Sequence, residues 1–313
     1  MDSLRSISDS SESLCPGPLC SDFSNYGVSS DDSIYGDPLA QLAKEVKQEP
    51  FTTSQNLRKS LEQRHRDLLQ DRTRDQYLAF SSVTPAQSHE ISDDQSRESK
   101  FCRFSFNTET GILVAKVMPS RAHGLAIRSF DFLISLELLA MNVYDDMRPF
   151  GSTTVTVGNW TKEADSCWAP ASTDTKLSFV VEVGLSESSR RLALDACGWL
   201  ERHTSVKLVA TISLNGETSE ITLRQWERVS RSSSPSASCT TSLKIFRTSN
   251  TTVITGESSY NGVTTTTNQL QLPFEKIVGH PSRQPLERDL VIPAQKLIVF
   301  AEKIWSEQGL LPR

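Results

Sequence analysis

The segment LSFVVEVGL, residues 177–185, is an almost unbroken apolar run with one carboxylate, Glu182, set inside it. A run this short and this apolar predicts a central strand covered on both faces, because a half-exposed strand would alternate apolar and polar side chains. Ser186 follows where a helix N-cap belongs. Residues Glu187 to Arg202 then bring Leu192, Leu194, Ala196, Trp199 and Leu200 into one helix. VKLVATISL, residues 206–214, predicts a second buried strand. Strand, helix and strand in this order imply two parallel neighbours joined by a right-handed crossover.

The flanking chain supplies further elements. FCRFSF (101–106) and GILVAKV (111–117) read as short strands joined across Asn107–Thr110. Leu125, Phe132, Leu133, Leu136 and Leu139 recur at helical spacing, so a helix is expected over 119–142 with Pro119 in its first turn. TTVTV (153–157) is a β-branched strand ending at a Gly158–Asn159 turn. Asn215–Gly216 is a strong hairpin signal and leads into EITLRQWERV (220–229). Two or three more strands are expected within 241–276, and a closing helix over 293–307. Alternating strands and helices followed by hairpins predict one α+β domain, residues 98–313, with a mixed sheet, flanking helices and extra C-terminal strands.

Residues 1–97 read differently. The first 33 residues hold eleven serines and little that could form a packed face. The segment 1–97 carries a net charge of −6 and the remainder +1, so the acidity of the chain belongs to this part. A disordered, acidic, Ser-rich arm is expected, because such a composition cannot offset the entropy of ordering. Residues 56–80 within it are charged, with a thin stripe of Leu57, Leu61, Leu68 and Leu69 that suits a solvated helix. The near-neutral domain lacks the basic balance of a dedicated nucleic-acid binder. Cys15, Cys20, Cys102, Cys167, Cys197 and Cys239 make no zinc pattern, and free thiols of an intracellular protein in cytoplasm or nucleus are expected. The N-terminus has no basic and apolar regions of a secretory signal. No apolar stretch approaches the roughly 20 residues of a membrane helix, so no membrane partner is expected.

Glu182 needs more than packing to explain it. A carboxylate within a buried strand costs several kcal/mol unless it is paired or holds a cation. Asp165, seventeen residues upstream in KEADSCWAP, is close enough in sequence for a hairpin to bring the two together. Two such carboxylates suit Mg²⁺, which prefers oxygen ligands and can activate water against a phosphodiester. Alternatively, Glu182 points to the polar face of its strand or is paired with Arg190 or Arg191 on the following helix. His123 reads as a packing histidine or a cleft residue, and Trp199, Trp226 and Trp305 as core. Val46-Lys47-Gln48-Glu49 fits an apolar-Lys-x-Glu acceptor pattern for a modifier protein, and Ser29, Ser30 and Ser33 lie beside acidic residues as phosphorylation sites do.

MPSRAH (118–123), GSTTVTVGNWTKEADSCWAP (151–170), the whole stretch 177–214 and LPFEKIVGHPSRQPLERDLVIPAQKLIVFAEKIW (272–305) together resemble a group of fungal proteins. Those proteins are similar to the PD-(D/E)XK, or restriction-endonuclease-like, superfamily. The resemblance spans about residues 100–310. It implies an αβββαβ core with an Asp on one strand and Glu-x-Lys on the next, which maps onto Asp165 and Glu182 as Mg²⁺ ligands. The Lys position holds Gly184, so the resemblance moves the basic role to Arg190 and Arg191. Where a helix Glu would follow His123 there is Gly124, with Glu137 a distant substitute. Two functions follow from the resemblance. One is a degenerate nuclease kept as an interaction or accessory module for a protein partner. The other is an Mg²⁺-dependent phosphodiesterase acting on nucleic acid.

Overall fold

The computed structural model describes residues 37–93, 101–118, 120–173, 176–186, 189–201, 204–230, 235–249, 251–260 and 262–311. Cys15, Cys20, Ser29, Ser30, Ser33 and Pro119 lie outside the described residues. The elements in chain order are α1 (Pro38–Glu45), β1 (Gln48–Pro50), α2 (Ser54–Leu69), β2 (Tyr77–Ser81), α3 (Pro85–Asp93), β3 (Cys102–Asn107), β4 (Ile112–Val117) and α4 (Arg121–Ala140). There follow β5 (Met147–Gly151), β6 (Thr154–Val157), β7 (Trp160–Glu163), β8 (Ser166–Pro170), β9 (Phe179–Leu185), α5 (Ser189–Trp199), β10 (Leu208–Leu214) and β11 (Glu220–Ser230). The chain ends with β12 (Pro235–Thr248), β13 (Thr251–Tyr260), β14 (Val263–Thr266), β15 (Leu270–Leu272), α6 (Phe274–Val278), β16 (Leu290–Ile292) and α7 (Ala294–Gln308).

The expected buried pair is present. β9 and β10 run parallel in register Val181↔Ala210 and Glu182↔Thr211, with α5 between them in sequence. They sit inside an eight-stranded mixed sheet of order β14-β13-β12-β11-β10-β9-β8-β5. The Asn215–Gly216 hairpin joins β10 to β11 as expected. Both faces of β9 are covered. Phe179, Val181 and Val183 join Phe130, Ile134, Phe300 and Ile304 of α4 and α7 on one side. Val180 joins Ala196 and Trp199 of α5 on the other. Strand alternation therefore turns Glu182 toward α5.

The reading of residues 1–97 as a disordered arm is corrected from Asp37 onward. A second, six-stranded sheet has the order β1-β2-β4-β3-β7-β6, and its first two strands come from that region. α2 lays Leu57 and Leu61 on one face of this sheet, against Leu78, Phe80, Leu113 and Ala115. Its other face meets α1 and α5 through Tyr77, Val114, Trp160, Leu39, Leu42 and Leu194. α1 is capped by Asp37, whose carboxylate accepts the N–H groups of Leu39 and Ala40 and is also bonded by the Trp160 indole. α1 lies so near α5 that a Cβ on Gly198 would fall 2.8 Å from Leu39 Cγ. Composition concealed this packing because charged residues dilute the few leucines that do it. The predicted helix over 56–80 is α2, and its last residues instead form β2.

The chain thus stacks as α4 and α7, the larger sheet, α5 with α1, the smaller sheet, and α2. One excursion joins the sheets. Between β5 and β8 of the larger sheet, the β6–β7 hairpin leaves to pair with β3 of the smaller one, in register Ser105↔Lys162. No helix among the described residues is long and apolar enough to cross a membrane.

Candidate functional site

β8 runs antiparallel to β9 with Ser166 opposite Val181, so Asp165, one residue before β8, arrives beside Glu182. Both carboxylates face α5 and the smaller sheet. Between them stands a residue that the sequence reading passed over. Lys116 of β4 places its Nζ 2.9 Å from Asp165 Oδ2 and 3.0 Å from Glu182 Oε2, donating to both. Alternation in β4 explains its direction: Leu113, Ala115 and Val117 face α2, while Val114 and Lys116 face α5.

The surroundings complete a buried polar cluster. Asp165 Oδ2 also accepts the Val183 N–H at 2.9 Å. His123, near the start of α4, has its Nε2 3.0 Å from the Val183 carbonyl and 3.3 Å from Asp165 Oδ2. Both neighbours are acceptors, so Nε2 carries the proton and donates. Glu182 Oε1 accepts the Trp199 indole N–H at 2.7 Å. Lys162 of β7 pairs with the Asp195 carboxylate, donates to the Asp195 carbonyl at 3.0 Å, and lies 4.4 Å above the Trp199 ring. Arg103 Nε sits 3.9 Å from Asp165 Oδ1, and neither of these two buried atoms has a hydrogen-bond partner among the described residues.

Charge in this cluster is unevenly shared. Burial alone would raise the Asp165 carboxyl, but the Lys116 ammonium and then His123 hold it well below the usual carboxylate range. Burial, followed by the charge of Asp195, pushes Glu182 well above that range despite Lys116. Asp165 is therefore the firmly ionised member, and Glu182 is the one that takes up a proton first. Splitting of this kind is the expected behaviour of two carboxyls crowded around one cation.

The donor set does not fit a divalent ion. Asp165 and Glu182 are each 2% exposed, and the space they share is held by an ammonium within hydrogen-bond distance of both. Among the described residues, no group of three or more His, Cys, Asp or Glu side chains comes together as ligands. A hard ion needs at least that many oxygen ligands or room for waters.

The two arginines expected to assist do not reach the site. Arg190 donates to Glu45 at 3.0 Å, and Arg191 bonds Asp75 and the Glu45 carbonyl. The first turn of α5 points toward α1, so their charge ties that helix down. Glu137 is also elsewhere, bonded to Lys296 at 2.9 Å and Arg288 at 3.3 Å. The Val46-Lys47-Gln48-Glu49 pattern is ordered at the start of β1, with Val46 buried in the core. Burial raises the thiols of Cys167 and Cys197 to about 12 and that of Cys239 to about 11, so none is a ready nucleophile.

Just past α5, burial and the nearby Asp37 charge raise Glu201 to about 7. Its folded pKa lies above its unfolded value. The associated stability is therefore complete below about pH 4.5 and is lost as pH rises through 7. Because Glu201 is only half-buried, screening reduces the effect. Glu201→Gln is expected to be about 1–2 kcal/mol more stable than wild type at pH 8 and equal to it near pH 4.5. Urea denaturation at the two pH values measures this, and an equal difference at both would show that the carboxyl does not titrate between them.

The chain matches no family model, no curated protein and no solved structure.

Proposed function

We propose that this chain is a degenerate nuclease of the restriction-endonuclease-like fold, retained as an interaction or accessory module for a protein partner. The order α4, β5, β8, β9, α5, β10 supports the fold, since it spells αβββαβ once the β6–β7 excursion is set aside. Asp165 and Glu182 stand side by side on neighbouring strands of that core, where the resemblance expects acidic residues. The observation that carries the loss of activity is the Lys116 bridge. One ammonium, delivered from a different sheet, bridges one oxygen of each carboxylate in a place closed to solvent. A nucleic-acid backbone has no path to atoms so deeply covered.

One feature favours the alternative, an active phosphodiesterase. Lys116 restores in space the ammonium that Gly184 removes from the sequence motif, giving an Asp, Glu and Lys together. The discriminating experiment is thermal melting of the full chain with millimolar Mg²⁺ or Mn²⁺, beside incubation with single- and double-stranded DNA and RNA. The module reading expects no metal-dependent rise in melting temperature and no cleavage, for wild type and Glu182→Gln alike. A bound ion at 100 times its Kd would add about 2.7 kcal/mol. A rise of that order together with cleavage, both lost in Glu182→Gln, would establish the phosphodiesterase instead.

A further inference from the structure

The helical stripe that first marked α4 does not all face the core. Ala122, Ala126, Phe130, Leu133 and Ile134 pack against the larger sheet and α7. Phe132 is 59% exposed and Leu139 is 57% exposed, and Leu125 and Leu136 are half-buried without joining that core. At about 100° per residue, Leu125, Phe132, Leu136 and Leu139 fall within an arc of about 60°. They form a seam about 21 Å long on the outward side of the helix. Its densest part is Phe132, Leu136 and Leu139, with Arg128 and Ser129 between these and Leu125, and large apolar side chains exposed together mark an association site.

The spacing identifies what covers it. Leu125 lies seven residues before Phe132 and Leu139 seven residues after it, so these three are symmetric about Phe132, while the counterpart of Leu136 is the exposed Arg128, whose aliphatic stem can lie along the leucine. A second α4 laid antiparallel across a two-fold axis at Phe132 places Phe132 on Phe132 and Leu125 on Leu139 twice. The charges agree with this pairing. The exposed Arg121 lies at one end of the seam, and the exposed Asp145 and Asp146 lie just past the other. The operation that sets Leu125 on Leu139 places Arg121 of one copy opposite position 143 of the other, two to three residues from Asp145 and Asp146. A surface complementary to itself under a two-fold is the signature of an isologous contact.

We infer that α4 is the interface of a homodimer, formed by antiparallel self-pairing of the Leu125–Phe132–Leu136–Leu139 seam. Sedimentation equilibrium of the full chain should show a single-chain mass rising to twice that mass within the micromolar range. Phe132→Glu should weaken association by roughly 100-fold or more, since the axial contact is lost from both copies. Its melting temperature, read under dilute monomeric conditions, should equal that of wild type. Arg121→Asp and the double change Asp145→Arg with Asp146→Arg should each weaken the dimer, and their combination should restore it. Phe132→Cys, with Cys15 and Cys20 changed to Ser, should form an oxidised dimer linked through position 132 alone. Three results would overturn the assignment: a wild type monomeric at about 100 µM, a dimer indifferent to Phe132→Glu, or a Phe132→Cys chain that still dimerises but forms no cross-link at that position.

Discussion

Lys116→Met is expected to lower the free energy of unfolding by about 3–5 kcal/mol, as a shift of the urea midpoint at constant slope. The side chain fits by volume, so the loss is electrostatic. Without the ammonium, Asp165 and Glu182 remain buried beside each other and beside Asp195, while Lys162 is already taken by Asp195 and Arg103 is shared with Glu163. Removing the opposed charges should then recover much of the loss. Lys116→Met with Asp165→Asn and Glu182→Gln should be more stable than Lys116→Met alone, a non-additivity confined to residues in contact. A cost under about 1 kcal/mol for the single change would be that of an exposed pair, and would mean that water reaches the cluster in solution.

Trp199→Ala should be comparably damaging, by about 3–5 kcal/mol, because it empties a fully buried ring site under α5. Trp199→Phe separates the ring's two roles. It preserves most of the volume but removes the N–H that Glu182 Oε1 accepts at 2.7 Å, leaving a buried acceptor unmatched. A loss of about 1–3 kcal/mol is expected for that change. Paired with Glu182→Leu, the same substitution should cost less, since no acceptor is left waiting. Chemical denaturation of the four proteins closes the cycle, and additive costs would show that the indole and the carboxyl do not interact.

The sequence made Glu182 conspicuous because a carboxylate among valines has no packing explanation, and the structure places it where that argument required a partner. The same argument applies to Lys116, alone in ILVAKV, and to Lys162 in WTKE. Each is a charge in a strand that the structure buries. Their partners were beyond reach, because Lys116 and Glu182 belong to different sheets and no spacing rule links positions so far apart. Arg190 and Arg191 were nearer in sequence and therefore looked better, yet the direction of the first turn of α5 sends them to Glu45 and Asp75. The strand–helix–strand centre was legible since its apolar runs are long and local. α1, β1 and β2 were not, because their burial depends on a sheet whose last two strands are contributed only after α4 and β5. On α4, periodicity located the helix but could not say which of two apolar faces turns inward.

That late contribution governs how the molecule assembles. β1 to β4 come from one stretch of chain, yet their sheet is finished only by β7 and β6, which are synthesised after α4 and β5 have begun the other sheet. The strands of the larger sheet all lie within 147–266, but the smaller one cannot be completed by local closure, so finishing it must bridge distant segments, which slows folding. The two sheets should also melt as one cooperative unit. A fragment beginning at Ala164, just ahead of β8, would forfeit Lys116 and Lys162 in a single cut. Asp165 and Asp195 would then lose their ammonium partners and Glu182 would take up a proton, with nothing left to hold the chain closed across the three.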